Sequence, residues 1–311
     1  MPRFDVTLAG ELNLDLILYG LPAELPAERE LLAQSMMLTL GSSAAIVAHN
    51  LAALGCRVGF ISRIGDDPLG GIALERLAAG GVDIEKVRRV AGETKTGLTV
   101  ILQRELERNI LTYPGTIFDL TISDLDLEYL TDAGHFHLSS FYLQRGLRPH
   151  VGELFRTLKA EGLTISLDTN DDPDGLWQGG LMDVLRYVDV FLPNAREACL
   201  IAGCDDLEKA IARLAECVPL LVVKLGKEGA LAQRRDERFR SPATPVDFID
   251  PVGAGDSFDA GFLSQYVRGA DLSQCLAWGN LAGAYSTTMA GGTEAFRDPK
   301  RLQEFRKERG L

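Results

Sequence analysis

Short apolar runs alternate with amphipathic stretches along almost the whole of this 311-residue sequence. The runs are rich in Val, Ile, Leu and Phe and are bounded by Gly, Pro, Asp or Asn, which predicts strands at Phe4–Ala9, Val58–Ile61, Gly97–Leu102, Asn109–Thr112, His135–Ser139, Thr164–Leu167, Val188–Leu192 and Leu220–Lys224. The stretches between them return apolar residues every three or four positions and predict helices over Ser43–Leu54, Pro68–Gly80, Pro149–Glu161, Glu197–Ile201, Leu207–Cys217, Ser257–Arg268 and Ser273–Thr288. Ser43–Leu54, for example, puts Ala44, Val47, Ala48, Leu51 and Leu54 on one face and stops at Gly55. Strands joined through helices cannot pair as hairpins. They build a mostly parallel sheet covered by helices on both faces, so the fold class is α/β.

Two stretches break the rhythm. Around Leu14–Ser35 and again over Glu93–Gly115, extended segments follow one another without a long helix. They predict a small projecting sheet, a lid formed by segments near residues 12–38 and 93–116 inserted in one α/β domain that spans 1–311. A lid over such a sheet places a binding site between the two, at the carboxyl ends of the strands.

Charge narrows the function. The 32 basic and 44 acidic side chains leave a net charge of −12, which repels phosphate backbones and anionic lipid. The densest basic run, Arg297 to Arg306, is interleaved with acids and reads as a solvated terminal helix rather than a nucleic-acid arm. No nucleic acid or membrane partner is expected. The start, Met1-Pro2-Arg3-Phe4-Asp5, lacks the apolar core of a signal peptide, so a cytoplasmic location is expected. Five scattered cysteines (Cys56, Cys199, Cys204, Cys217 and Cys275) form no C-x-x-C pair and read as reduced thiols.

The sharpest run is Asp250-Pro251-Val252-Gly253-Ala254-Gly255-Asp256-Ser257, which opens a helix. Gly253, Ala254 and Gly255 let the backbone turn tightly, so amide N–H groups at the helix start can converge on an anion. Asp256 lies in the first turn, where the helix dipole favours the carboxylate over the neutral acid. An ionised aspartate beside an anion cradle can take a proton from a hydroxyl while the cradle stabilises a transferring phosphoryl group. In isolation the same four residues are also an ordinary helix cap. Gly226-Lys227 is followed by Glu228, which excludes a Walker-type loop, and no Gly-x-Gly-x-x-Gly follows a strand, which leaves a nicotinamide dehydrogenase without its fingerprint.

The run from Asp250 to Gly261 resembles the C-terminal signature of the ribokinase-like (PfkB-type) carbohydrate kinases, with Pro251 in the usual Thr place. The resemblance extends over nearly the whole chain, in order. Gly10-Glu11-Leu12-Asn13-Leu14-Asp15 is similar to the N-terminal Gly-x-x-Asn-x-Asp of that family, which implies sugar-hydroxyl binding by Asn13 and Asp15. Gly41-Ser42-Ser43-Ala44-Ala45-Ile46 resembles its glycine-rich signature and adds Gly41 and Ser42 to the sugar site, and Arg108 to Gly115 resembles the segment that crosses the lid, adding Arg108.

Asn194 and Glu197 match the Asn-x-x-Glu motif that tunes magnesium and phosphate binding in the family; without that context the pair is a capping box. Val222 to Gly229 resembles the strand and turn lining the nucleotide, which implies nucleotide contacts by Lys224, Gly226 and Gly229, and Asn280 is similar to the part that closes over adenine. As residues alone, Lys224, Gly226 and Gly229 are a strand end with a turn. Asp250 is similar to a position that helps bind a monovalent cation, K+, in some members.

The chain departs from the pattern at Ser42, where a second glycine is usual, and at Ile46, where an Asn is usual. In kinases of 2-keto-3-deoxygluconate the segment that Asp168 to Pro173 resembles usually carries an arginine near Asp172; Asp172 would repel a substrate carboxylate instead, so a neutral polyol is expected. His135 and His137 alternate on one strand and read as structural, as do Trp177 and Trp278. The resemblance implies a ribokinase-like fold and an ATP- and Mg2+-dependent kinase that phosphorylates a primary hydroxyl of a hexose such as fructose or a pentose such as ribose. Asp256 is the expected base, with the anion hole from Gly253, Ala254 and Gly255. The alternatives are a nucleoside kinase and a non-catalytic sugar-binding protein of the same fold. A homodimer through the lid is expected because lid edges need covering.

Overall fold

The computed structural model describes residues 2–104 and 107–309; Glu105 and Leu106 of the second lid segment lie outside the described residues. In chain order the strands are β1 Phe4–Ala9, β2 Leu14–Tyr19, β3 Ser35–Leu40, β4 Val58–Gly65, β5 Asp83–Val90, β6 Leu98–Arg104, β7 Glu107–Tyr113, β8 Ala133–Leu138, β9 Thr164–Leu167, β10 Val190–Phe191, β11 Leu220–Lys224, β12 Ala230–Arg234 and β13 Glu237–Ser241. The helices are α1 Ser43–Ala53, α2 Pro68–Ala79, α3 Leu127–Thr131, α4 Val151–Ala160, α5 Leu181–Leu185, α6 Ala195–Ala202, α7 Leu207–Ala215, α8 Ala254–Tyr266, α9 Leu272–Ser286 and α10 Pro299–Glu308.

A large sheet runs in the order β13-β12-β11-β10-β9-β8-β1-β4-β5, and a separate four-stranded sheet in the order β3-β2-β6-β7. From β10 and β11 through to β5 every pairing in the large sheet is parallel, as the alternation predicts. The departure is at one edge, where β12 and β13 form an antiparallel hairpin on β11. One face of the sheet is covered by a core that includes Val47, Leu74, Phe262, Leu281 and Leu302 from α1, α2, α8, α9 and α10; the other by a core with Leu130, Leu154, Leu185, Ala198 and Leu214 from α3 to α7. No helix among the described residues is long and apolar enough to cross a membrane.

The four-stranded sheet is the projecting lid. Its first strand pair joins Asp15 to Thr39 and Ile17 to Met37, and β2 also pairs in parallel with β6, bringing Asp15 beside Thr99. Ile17 and Ile101 pack with Val252, so the lid rests on the turn that precedes α8. Helix α8 lies close against α9 because Gly261 has no side chain: a Cβ there would come within 2.4 Å of the Trp278 carbonyl oxygen. It begins three residues earlier than its apolar pattern predicts, which puts Gly255 and Asp256 inside its first turn.

His135 and His137 are structural. Their rings join Thr164, Ser166 and Ser139 in a buried chain of hydrogen bonds between 2.7 and 2.8 Å, and burial pushes both down to about 3. Trp177 and Trp278 pack on protein groups, Trp177 against Tyr142 and Arg196, Trp278 against Arg306. The five cysteines are free thiols.

Candidate active site

Most of the candidate residues stand beyond the carboxyl ends of parallel strands: Asn13 after β1, Asp168 and Asn170 after β9, Asn194 after β10, and Lys224 at the end of β11. Helix α8 points its N-terminus at this rim. Gly253, its N-cap, has φ 72°, and a Cβ there would meet the Gly292 Cα at 2.5 Å, so glycine is required both for the turn and for the close approach. The first amides of a helix lack intrahelical acceptors, which leaves the N–H groups of Gly255 and Asp256 for an anion. The Ala254 N–H, expected in the same cradle, turns back to the Pro251 carbonyl at 3.2 Å. Ile46, where an Asn was usual, walls this turn: its Cδ1 lies against both Gly253 and Gly292.

Asp256 is buried and accepts a hydrogen bond from Asn170 Nδ2 at 3.1 Å. Its carboxyl is held above the usual range by burial and by Asp168, effects that Lys224, Ser43 and Asn170 oppose. The helix dipole alone predicted an ordinary carboxylate; desolvation outweighs it. A raised carboxyl is the better proton acceptor from a hydroxyl.

The sugar-binding candidates come together in part. Asn13 donates to Asp15 Oδ1 at 3.4 Å, and Gly41 leaves the room for both, since a Cβ would stand 2.2 Å from Asp15 Oδ1 and 2.8 Å from Asn13 Nδ2. Burial and the nearby Asp256 push Asp15 up to about 7. Ser42 does not turn to this pocket: its hydroxyl donates to the Glu11 carbonyl at 2.8 Å and caps α1 at the Ala45 N–H. It does so at φ 62° and ψ 136°, a conformation that glycine takes without strain, which explains why a glycine is usual there. Arg108 is exposed on β7, opposite Gln103; the pairing puts it on the same lid face as Asp15 and Tyr19 but nearer the far end of the strand pair. Glu11, a residue given no role from sequence, is buried between the Ala44 N–H and Gln144 Nε2, and burial pushes it up to about 7.

Three of the residues singled out from sequence are engaged by the protein itself. The Lys224 ammonium lies under α8, bonded to Asp168 Oδ2 at 2.6 Å and to the Asp259 carboxylate at 3.2 and 3.3 Å. Asn280 spends both amide hydrogens on the carbonyls of Ser241 and Pro242, 3.0 Å each, and so fixes the loop after β13. Asp172 is buried with its oxygens on the backbone N–H groups of Asp174, Leu176 and Trp177, so it closes its own loop. Gly226 (φ 59°) and Gly229 (φ 89°) shape the turn between β11 and β12, and a Cβ on Gly229 would meet the Ser241 carbonyl at 2.0 Å.

Asn194 and Glu197 form a reciprocal capping box at 2.8 and 2.9 Å. Burial, with Asp168 adding to it, pushes Glu197 up to about 7. Among the described residues no three His, Cys, Asp or Glu side chains gather to hold a metal. With one Asn194 oxygen and one Glu197 oxygen engaged in the cap, this donor set fits a magnesium that keeps most of its water. Asp250 is satisfied by protein donors: Val252 N on Oδ1, Gly291 N and the Tyr19 hydroxyl on Oδ2.

Comparison with known proteins gives consistent relatives. The pfkB family carbohydrate kinase pattern matches residues 4–299. A fructokinase of Klebsiella pneumoniae is 34% identical over 272 residues, covering 82% of this chain and 88% of that protein. An ATP-dependent ribose-1-phosphate kinase of Halopiger xanaduensis is 30% identical, covering 93% and 94%. Among solved structures, a candidate ribokinase II from E. coli in complex with ATP and Mg2+ superposes with a TM-score of 0.86 at 26% identity, covering 98% of this chain and 99% of that one.

Proposed function

Because the chain belongs to the pfkB family of carbohydrate kinases, we propose that it moves the γ-phosphoryl group of ATP to a primary hydroxyl of a neutral sugar, a hexose such as fructose or a pentose such as ribose. The observation that carries this reading is the position of Asp256, buried in the first turn of α8 with one oxygen held by Asn170. Its other oxygen takes the proton of the acceptor hydroxyl as that oxygen attacks, and the N–H groups of Gly255 and Asp256 stabilise charge on the phosphoryl group in flight. Asn13 and Asp15 hold the sugar beneath the lid, in the space that Gly41 leaves. Magnesium, when bound, offsets charge between the β- and γ-phosphates; Asn194 and Glu197 would hold it through water.

Neutrality of the acceptor is supported by the surroundings rather than by Asp172. Asp256 acts electrostatically on both Glu11 and Asp15, and such an acidic lining disfavours a substrate carboxylate. The lid supports a dimer with a second copy of the chain. Leu16, Leu38, Val100 and Leu111 form one row across its four strands, on the face opposite Asp15, and Met36, Leu111 and Tyr113 there are more than half exposed.

The test is ADP release from Mg-ATP against fructose, ribose, glucose, 2-keto-3-deoxygluconate, adenosine and inosine, beside Asp256→Asn. Turnover with one neutral sugar, reduced at least about 10²-fold in the variant, is expected. Preference for adenosine or inosine would assign a nucleoside kinase instead. Undiminished turnover by the variant would remove Asp256 from the mechanism.

A further inference from the structure

A circuit of polar contacts, closed only through the backbone of α8, runs beside the start of that helix. Asn170 donates to Asp256 Oδ1 at 3.1 Å, and its own backbone N–H is held by Asp168 Oδ1 at 3.3 Å. Asp168 Oδ2 accepts from Lys224 at 2.6 Å; Lys224 reaches on to Asp259 at 3.2 and 3.3 Å; Asp259 stands one helical turn after Asp256 on α8. The circuit is buried: Asp168 and Asp259 are 1% and 0% exposed, and the Lys224 side chain 11%. The Lys224 ammonium lies directly beneath Gly255, where a Cβ would stand in ordinary contact with it at 3.7 Å.

We propose that Lys224 and Asn170 are positioning residues for Asp256, Lys224 by pinning the first turns of α8 onto the end of β9 through Asp168 and Asp259, and Asn170 by engaging one carboxylate oxygen so that the other is the one that accepts the proton. This rests on the reading of Asp256 as the base. A lysine whose three N–H groups already meet two carboxylates has none left for a base or ribose, so its contribution is directional and electrostatic. Asp259 is pushed well above the usual carboxylate range by burial, while Asp168 is held below it. The Lys224 ammonium offsets the negative charge of this pair beneath the cradle. The charged groups that act on Asp256 are Asp168, Glu197, Lys224, Asp259, Glu11 and Asp15; Lys224 is the one cation in that set. Removing it moves Asp256 further up.

The test uses full-length protein labelled with [4-13C]aspartate, in which the carboxyl resonance missing from Asp256→Asn identifies Asp256. Its titration midpoint is expected at least one unit higher in Lys224→Met and measurably higher in Asn170→Ala, with Mg-ATP Kd within threefold of wild type in both. If Lys224→Met does not fold, Asn170→Ala carries the same test. Unmoved midpoints in folded variants, or a Mg-ATP Kd weakened more than tenfold by Lys224→Met, would overturn the proposal. The base assignment fails separately, by turnover of Asp256→Asn, and neither result decides the other.

Discussion

The Tyr19 hydroxyl donates to Oδ2 of Asp250 at 2.8 Å, joining a lid strand to the turn that leads into α8. Asp250 also receives the N–H groups of Val252 and Gly291, and Gly292 touches Gly253, so the lid and the anion cradle share one short network. A hydrogen bond to a charged group contributes about 1.5–3 kcal/mol. Tyr19→Phe is expected to lower kcat/KM about tenfold, mostly through acceptor KM. Unchanged kinetics would show that the lid docks without this bond.

Ser42 bears a backbone conformation that suits glycine. Relieving it removes about 1–3 kcal/mol of strain, while replacing a Ser cap by Gly costs a few tenths. Ser42→Gly is expected to raise stability by about 1 kcal/mol, read as a higher denaturation midpoint at constant slope; Ser42→Ala, which keeps the strain and loses the cap, is expected to lower it.

Gly41 is where the sugar candidates are most tightly built. Gly41→Ala puts a methyl group into the space of the Asp15 carboxylate, 2.2 Å from Oδ1, and displaces it. Acceptor KM is expected to rise at least about tenfold, as for the loss of a well-placed polar contact, with Mg-ATP Kd unaltered by calorimetry. A parallel loss of nucleotide binding would place Gly41 in the shared scaffold instead.

Glu11, Asp15 and Glu197 are all pushed up to about 7, chiefly by burial. The folded state binds more protons than the unfolded one between the ordinary carboxylate range and pH 7. The stability from these groups is therefore fully present below the ordinary carboxylate range and is lost progressively as pH rises from there through about 7. For Glu11, a rise from 4.5 to about 7 corresponds to at most about 3 kcal/mol. Thermal melts of the ligand-free protein are expected to show a lower Tm at pH 8 than at pH 5.5, with a shallower slope in Glu11→Gln. An identical slope would place the proton elsewhere.

On the lid, Leu111→Asp puts a charge in the middle of the apolar row. Sedimentation is expected to show a dimer for the wild type and a monomer for this variant, with the melting temperature little changed. A monomeric wild type would end the dimer reading.

The fold was legible wherever apolar period and turn residues agreed, as in β1, β9 and α2. The edges were not. Strand β5 reads Asp-Ile-Glu-Lys-Val-Arg-Arg-Val, because an edge strand meets water and takes charge, and β12 and β13 give no run longer than a few apolar residues. In the site, glycines announced themselves, since Gly41 and Gly253 are required by local crowding and turn geometry. Long-range pairing stayed hidden: Lys224 and Asp168 are 56 positions apart, and Asn170 and Asp256 are 86 apart, with nothing in either segment to indicate its partner. Asn194 and Glu197 show the reverse, a local motif whose cap forms as written while the nearby Asp168 and Lys224 alter its electrostatics.

Helix α8 is tied to α1 by the bond from Asn50 to Ser257, 2.9 Å long across 207 positions of sequence, and Asn50 also holds the Gly292 carbonyl at 3.0 Å. On a ribosome adding about 5–20 residues per second, α1 therefore waits roughly 10–40 s for the helix that covers it. Over that interval α1 packs on the early strands β1 and β4 and lacks its most extensive native neighbour. A product that ends before α8 lacks Gly255 and Asp256, so on the reading of Asp256 as the base it would bind without transferring a phosphoryl group.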